Sequence, residues 1–109
     1  MIGILTLTRI DDRKVSTHIT HAPTESKCIQ AVWHMVLDRV IAFESDEALK
    51  CLQRATYDLA NAHNEEEEDI VLTTKDEFRQ LSLTKEDLKD LLDDILDNSY
   101  WYTLEIEEM

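Results

Sequence analysis

Ile2 to Ile10 is rich in Ile, Leu and Thr, and Val15 to Thr20 is a second β-branched run, with DDRK at 11 to 14 between them. This pattern predicts an antiparallel hairpin closed by a loop of about four residues. Alternation in VSTHIT puts Val15, Thr17 and Ile19 on one face and Ser16, His18 and Thr20 on the other. In the first run Ile2, Ile4 and Ile10 share one parity and Leu5 and Leu7 the other. Partial cover on both faces is therefore expected.

After Pro23 the period lengthens. Thr24 is the expected N-cap of a helix to about Phe43, in which Cys28, Ile29, Val32, Trp33, Val36, Leu37 and Val40 leave only a narrow polar stripe through Lys27, Gln30, His34 and Asp38. So broad an apolar surface predicts the central core helix. Ser45 caps a second helix running to about His63, with Ala48, Leu52, Ala55, Leu59 and Ala62 as its buried stripe. NEEEED at 64 to 69 offers nothing to bury and reads as a solvated acidic loop.

The segment 69 to 73, DIVLT, reads as a short strand, and Thr74 with Glu77 matches a capping box for a short helix docked by Phe78 and Leu81. Thr84 with Asp87 repeats that box with an acid of shorter reach. It opens KEDLKDLLDDILDNS, whose Leu88, Leu91, Leu92, Ile95 and Leu96 fall at i, i+3, i+4, i+7 and i+8. The chain returns to alternation in YWYTLEIEE, with Tyr100, Tyr102, Leu104 and Ile106 expected inward and Trp101, Thr103, Glu105 and Glu107 outward. The order ββααβααβ predicts one α+β domain over residues 1 to 109. Its small, mainly antiparallel sheet packs against three or four helices.

Charge changes the picture. The chain carries 24 acids against 11 bases, a formal net charge of -13. Residues 1 to 43 hold five bases and four acids, or +1, whereas residues 44 to 109 hold six bases and twenty acids, or -14. Such asymmetry is a partner signal more than a fold signal. A membrane surface or a nucleic-acid backbone would repel the acidic part, and a basic protein surface would attract it. With no secretory pattern and no long apolar run, the expected setting is the cytoplasm, that of a host cell if the chain is phage-encoded.

Candidate chemistry is sparse. His18 and His21 are three apart, which on a strand sends them to opposite faces, and no nearby spacing supplies further zinc ligands. Asp38 could orient His34 at i, i+4, but Cys28 lies about 120° away around the same helix and Cys51 belongs to another element. A satisfied structural histidine is the simpler reading. Both cysteines are expected to be free thiols. DDILDNSYWYTL lacks the glycine and the acid alternation of an EF-hand loop, and phosphate-loop, dinucleotide, nucleophile-elbow and HExxH patterns are absent. No catalytic residue, metal ligand or cofactor is assigned, and an enzyme is the reading least favoured.

The acids of the last helix remain to be explained. At 100° per residue Glu86, Asp90, Asp93 and Asp97 share a sector of roughly 60° and extend over about 16 Å of axis, in steps of roughly 4.5 to 6 Å. Phosphates along a DNA strand are spaced by a comparable several ångströms. The row can thus imitate a strand, joined by Asp94, by Glu66 and Glu67 of the acidic loop, or by Glu105 and Glu107. Trp101 is the candidate apolar anchor. In size and charge the chain resembles small acidic phage-encoded inhibitors of host restriction, CRISPR or transcription machinery, a class that shares no fold or motif. The resemblance implies a blocker of a basic nucleic-acid-binding protein. Two alternatives stand beside it: an antitoxin or immunity protein neutralising a basic nuclease, and a small acidic scaffold whose charged face is simply solvated.

Overall fold

A computed structural model describes residues 1 to 108. Strand β1 (Ile2–Arg9) pairs antiparallel with β2 (Val15–His21) on one side and with β3 (Tyr100–Glu107) on the other. The three-stranded sheet has the order β2-β1-β3. Helices α1 (Glu25–Arg39), α2 (Asp46–Asn61), α3 (Lys75–Arg79) and α4 (Lys85–Leu96) intervene between β2 and β3. The fold is a small α+β arrangement with an open sheet, as the periodicities predict.

Local chemistry accounts for the helix starts. Thr24, Ser45, Thr74 and Thr84 each accept the backbone N–H three residues on, and the last two form full capping boxes with Glu77 and Asp87. Thr74 and Thr73 N–H and hydroxyl donors hold the Glu77 carboxyl below its usual range, the Thr74 backbone foremost.

Two boundaries differ from the sequence reading. Helix α1 stops at Arg39, where both Val40 and Ile41 N–H groups turn back to the Val36 carbonyl. The apolar residues Val40, Ile41 and Phe43 still pack on the core, so their burial needs no helix. The segment 69 to 73 forms no sheet pairing. Its hydrogen bonds run to α2 and α3 instead: Asn61 Oδ1 accepts Ile70 N–H at 2.8 Å, Asn61 Nδ2 donates to the Ile70 carbonyl, Gln53 Nε2 donates to the Leu72 carbonyl at 2.9 Å, and Thr73 N–H bonds the Glu77 carboxylate. Side chains satisfy the backbone that a neighbouring strand would otherwise satisfy.

The core lies on one face of the sheet. Leu5 and Leu7 from β1, with Tyr100, Tyr102, Leu104 and Ile106 from β3, point toward the helices. There they meet Val32, Trp33, Val36 and Leu37 of α1 and Leu88, Leu92 and Leu96 of α4, nearly all of them fully buried. Gly3 marks the closest approach of β1 to α1. A Cβ there would lie 2.8 Å from Thr20 Oγ1 and 2.9 Å from Val32 Cγ2. Helix α2 packs against α4 and α3 against α1. Thr56 of α2 is 1% exposed, a polar residue at a core position, and its hydroxyl donates to the Leu52 carbonyl at 2.8 Å.

Side chains of α1 also fasten α3. Trp33 Nε1 donates to the Phe78 carbonyl at 2.9 Å, and the Gln30 amide donates to the Arg79 and Leu81 carbonyls at 2.8 and 3.0 Å. His34 Nε2 lies 3.2 Å from the same Arg79 oxygen and donates to it, since both Gln30 protons are already placed. These bonds satisfy carbonyls at the end of a five-residue helix too short to be stable alone.

Candidate partner-binding face

Helix α4 owes its place to Leu88, Leu91, Leu92 and Leu96, each no more than 2% exposed. With that stripe buried, Glu86, Asp90, Asp93, Asp94 and Asp97 stand exposed on the other side, as expected. Among the described residues the ion pairs are Arg9 with Asp12 and both Lys75 and Arg79 with Asp38. None of the α4 carboxylates has a cationic group within 4.0 Å. Asp93, Asp94 and Asp97 also crowd the last turn of the helix, where no basic residue offsets them and the macrodipole is negative. Helix stability argues against acids there.

The row does not stand alone. Helices α2 and α4 run antiparallel, and a groove of about 390 Å³ between them has Ala55, Leu59 and Leu91 as its floor and Asp58, Asp87, Asp90, Asp93 and Asp94 as its walls. Asp58 and Asp87 are the members absent from the sequence-based expectation. Asp58 flanks the buried α2 stripe, and only the pairing of the two helices brings it to the same groove as Asp90. Asp87 has a second role, since its Oδ2 accepts Thr84 N–H at 3.0 Å. Glu66 and Glu67 are exposed in the loop after α2, beyond the end of the helix pair at which α4 begins.

Glu105 and Glu107 lie elsewhere. Both project from the open face of the sheet, opposite the helices, so they do not extend the α4 row. Trp101 is 54% exposed and belongs to that same open face, where the Arg13 guanidinium sits 5.9 Å from its ring centroid. Its other side borders a groove along α4 with Asp93 and Asp97, so it neighbours those acids as well as β3. Between α4 and β3 the Tyr102 hydroxyl donates to Asp93 Oδ1 at 2.6 Å. Burial, then the Asp93 carboxylate, raises the phenol well above its ordinary range.

His18 points toward α1 and His21 away from it, so the pair splits across the sheet. His18, His34 and Asp38 line one groove between β2 and α1. Asp38 is not free to orient His34, because it bonds Arg79 at 2.5 and 2.6 Å and Lys75 at 3.5 Å. The Arg79 hydrogen bonds hold its carboxyl below the usual range, the reverse of what a general base requires. Cys28 is buried and Cys51 half-buried, both as free thiols. Among the described residues no cluster of His, Cys, Asp or Glu is arranged to hold a metal ion. Nor, among the described residues, is any helix long and apolar enough to cross a membrane. No protein-family model, curated protein or solved structure matches the chain.

Proposed function

We propose that the protein is an acidic protein-binding inhibitor that occupies the basic nucleic-acid-binding site of another protein. The observation that carries this reading is the set of exposed α4 carboxylates that lack an ion-pair partner, of which Asp90, Asp93 and Asp94 share a groove with Asp58. Uncompensated charge at the negative end of a helix costs stability, and a basic partner would return that cost on binding. The outward side of α4 is 12 residues long and is held in place by a buried leucine stripe. Carboxylates at steps of several ångströms can meet the lysines and arginines that otherwise contact phosphates. The class of partner is a nucleic-acid-binding protein such as a host defence nuclease or a transcription factor, with neither nucleic acid nor membrane bound directly.

The test is charge reversal at Asp90, Asp94 and Asp97 to lysine. Asp93 is spared because it accepts the Tyr102 hydroxyl, and Asp87 because it caps α4. The variant should fold as the parent does by circular dichroism and lose its partner. Undiminished binding by the triple variant would sink the reading.

A further inference from the structure

Strand β2 presents its apolar residues to the wrong side for a half-buried strand. Val15 and Ile19 are 64% and 56% exposed, whereas His18 and Thr20 point to the helices. The pairing with β1 fixes this orientation, because Ile4 lies opposite Ile19 and Thr8 opposite Val15. On the same open face β3 places Glu107 level with Ile2, Glu105 with Ile4, Thr103 with Thr6 and Trp101 with Thr8. The molecule is only 19 Å thick, two layers, so this face is left uncovered. An apolar face turned to water on a register-locked strand is a cost unless something covers it.

We infer that a second copy of this chain covers it, through a two-fold axis lying in the plane of the face and across the strands. The distribution of charge selects this arrangement. One end of the face carries Arg13 over Trp101, and the other carries Glu107. A two-fold axis across the strands sets each end on the opposite end of the partner. Arg13 of one copy then meets Glu107 of the other, twice, and Glu105 meets Thr103, whose hydroxyl can donate to it. Ile4 and Ile19 meet the methyl groups of Thr6 and Thr17. An axis along the strands would instead press Glu105 onto Ile19, burying a carboxylate without a donor.

The size of the face sets the strength of the association. Three strands about 4.8 Å apart and four rows about 6.8 Å apart give a footprint of about 400 Å² per copy. Stable complexes bury about 800 Å² per partner, so the dimer is reversible and depends on concentration. The acids of α2 and α4 lie in the helix layer. In the dimer the two helix layers face away from each other, further apart than the screening length of about 8 Å at physiological salt.

Sedimentation equilibrium over a range of protein concentration tests this. The parent chain should show a monomer–dimer equilibrium. Ile19→Asp, a surface substitution whose folding is checked by circular dichroism, should be monomeric throughout. Arg13→Glu and Glu107→Arg should each raise the dissociation constant about tenfold, as two symmetric exposed ion pairs are lost and replaced by repulsion. The double variant, which rebuilds both pairs with the signs exchanged, should recover most of the affinity. A parent that remains monomeric at millimolar concentration overturns the proposal, as does a dimer indifferent to Ile19→Asp. Failure of the double variant to recover overturns the register.

Discussion

The Tyr102 hydroxyl donates to Asp93 Oδ1 at 2.6 Å, with the Lys89 carbonyl at 3.1 Å as a weaker second acceptor. Strand β3 is thereby fastened to α4 through a member of the acidic row itself. Asp93 consequently holds the fold together while it contributes charge to the face.

Removing that hydroxyl isolates the first role. Tyr102→Phe should lower stability by about 1 kcal/mol, the usual loss for a side-chain hydrogen bond, measured by urea unfolding. Burial of the phenol, together with the same bond, fixes an alkaline response. A tyrosine whose pKa is raised in the folded state contributes stability that is complete below its unfolded value of about 10 and lost as pH rises toward the folded value. Stability of the parent should fall above about pH 10, and Tyr102→Phe should remove that part of the fall.

Gly3→Ala should destabilise the protein by about 1 to 3 kcal/mol, the usual range for overpacking. The new methyl group meets Thr20, Val32 and Cys28 within 3.0 Å, and all three lie on β2 or α1, the elements packed against β1. Pairing it with Val32→Ala should return part of the loss in a double-mutant cycle. Strict additivity would show that the contact is not the cause.

Trp33→Phe keeps an aromatic ring in the core but leaves the Phe78 carbonyl without its 2.9 Å donor. The carbonyl keeps only the longer 3.3 Å bond from the Leu81 N–H, so the lost indole bond costs about 1 kcal/mol, and the smaller ring adds a cavity. Hydrogen exchange should show the loss first in α3, which depends on α1 for its carbonyl partners.

Acid should loosen α3 as well. Asp38 and Glu77 are both held below the ordinary carboxylate range, Asp38 chiefly by Arg79 and Glu77 chiefly by Thr74. Their contribution is present above the unfolded value and is lost as pH falls through the lower, folded one. Asp38→Asn should lower the melting temperature at neutral pH and flatten its decline in acid. An unchanged acid profile would count against the ion pair.

The helix caps were legible in the sequence because each is a side-chain oxygen at a fixed offset from its donor, as at Thr74 and Thr84. The inward residues of β3 were legible too, since Tyr100, Tyr102, Leu104 and Ile106 alternate cleanly with exposed neighbours. Alternation in β2 separated Val15, Thr17 and Ile19 from His18 and Thr20 but could not tell which set faces the helices. That depends on pairing with β1. The segment 69 to 73 has the composition of a strand, and only the side chains of Gln53 and Asn61, many residues earlier, explain why it forms none. At the acidic face, the exposure of Glu86, Asp90, Asp93, Asp94 and Asp97 followed from helical period. Asp58 joins them through tertiary contact alone, and Glu105 and Glu107 part from them because β3 turns them to the far side of the sheet.

The central claim is that the α4 carboxylates take the place of phosphates, and competition against duplex DNA tests it most directly. A partner captured on the parent protein would be titrated with it at rising salt, with and without the DNA. Affinity should fall by about tenfold or more between 0.05 and 0.5 M salt as screening shortens, DNA should displace the protein, and the Asp90, Asp94 and Asp97 to lysine variant should not bind. Capture that returns no nucleic-acid-binding protein, or binding that ignores salt, DNA and charge reversal, would contradict the claim.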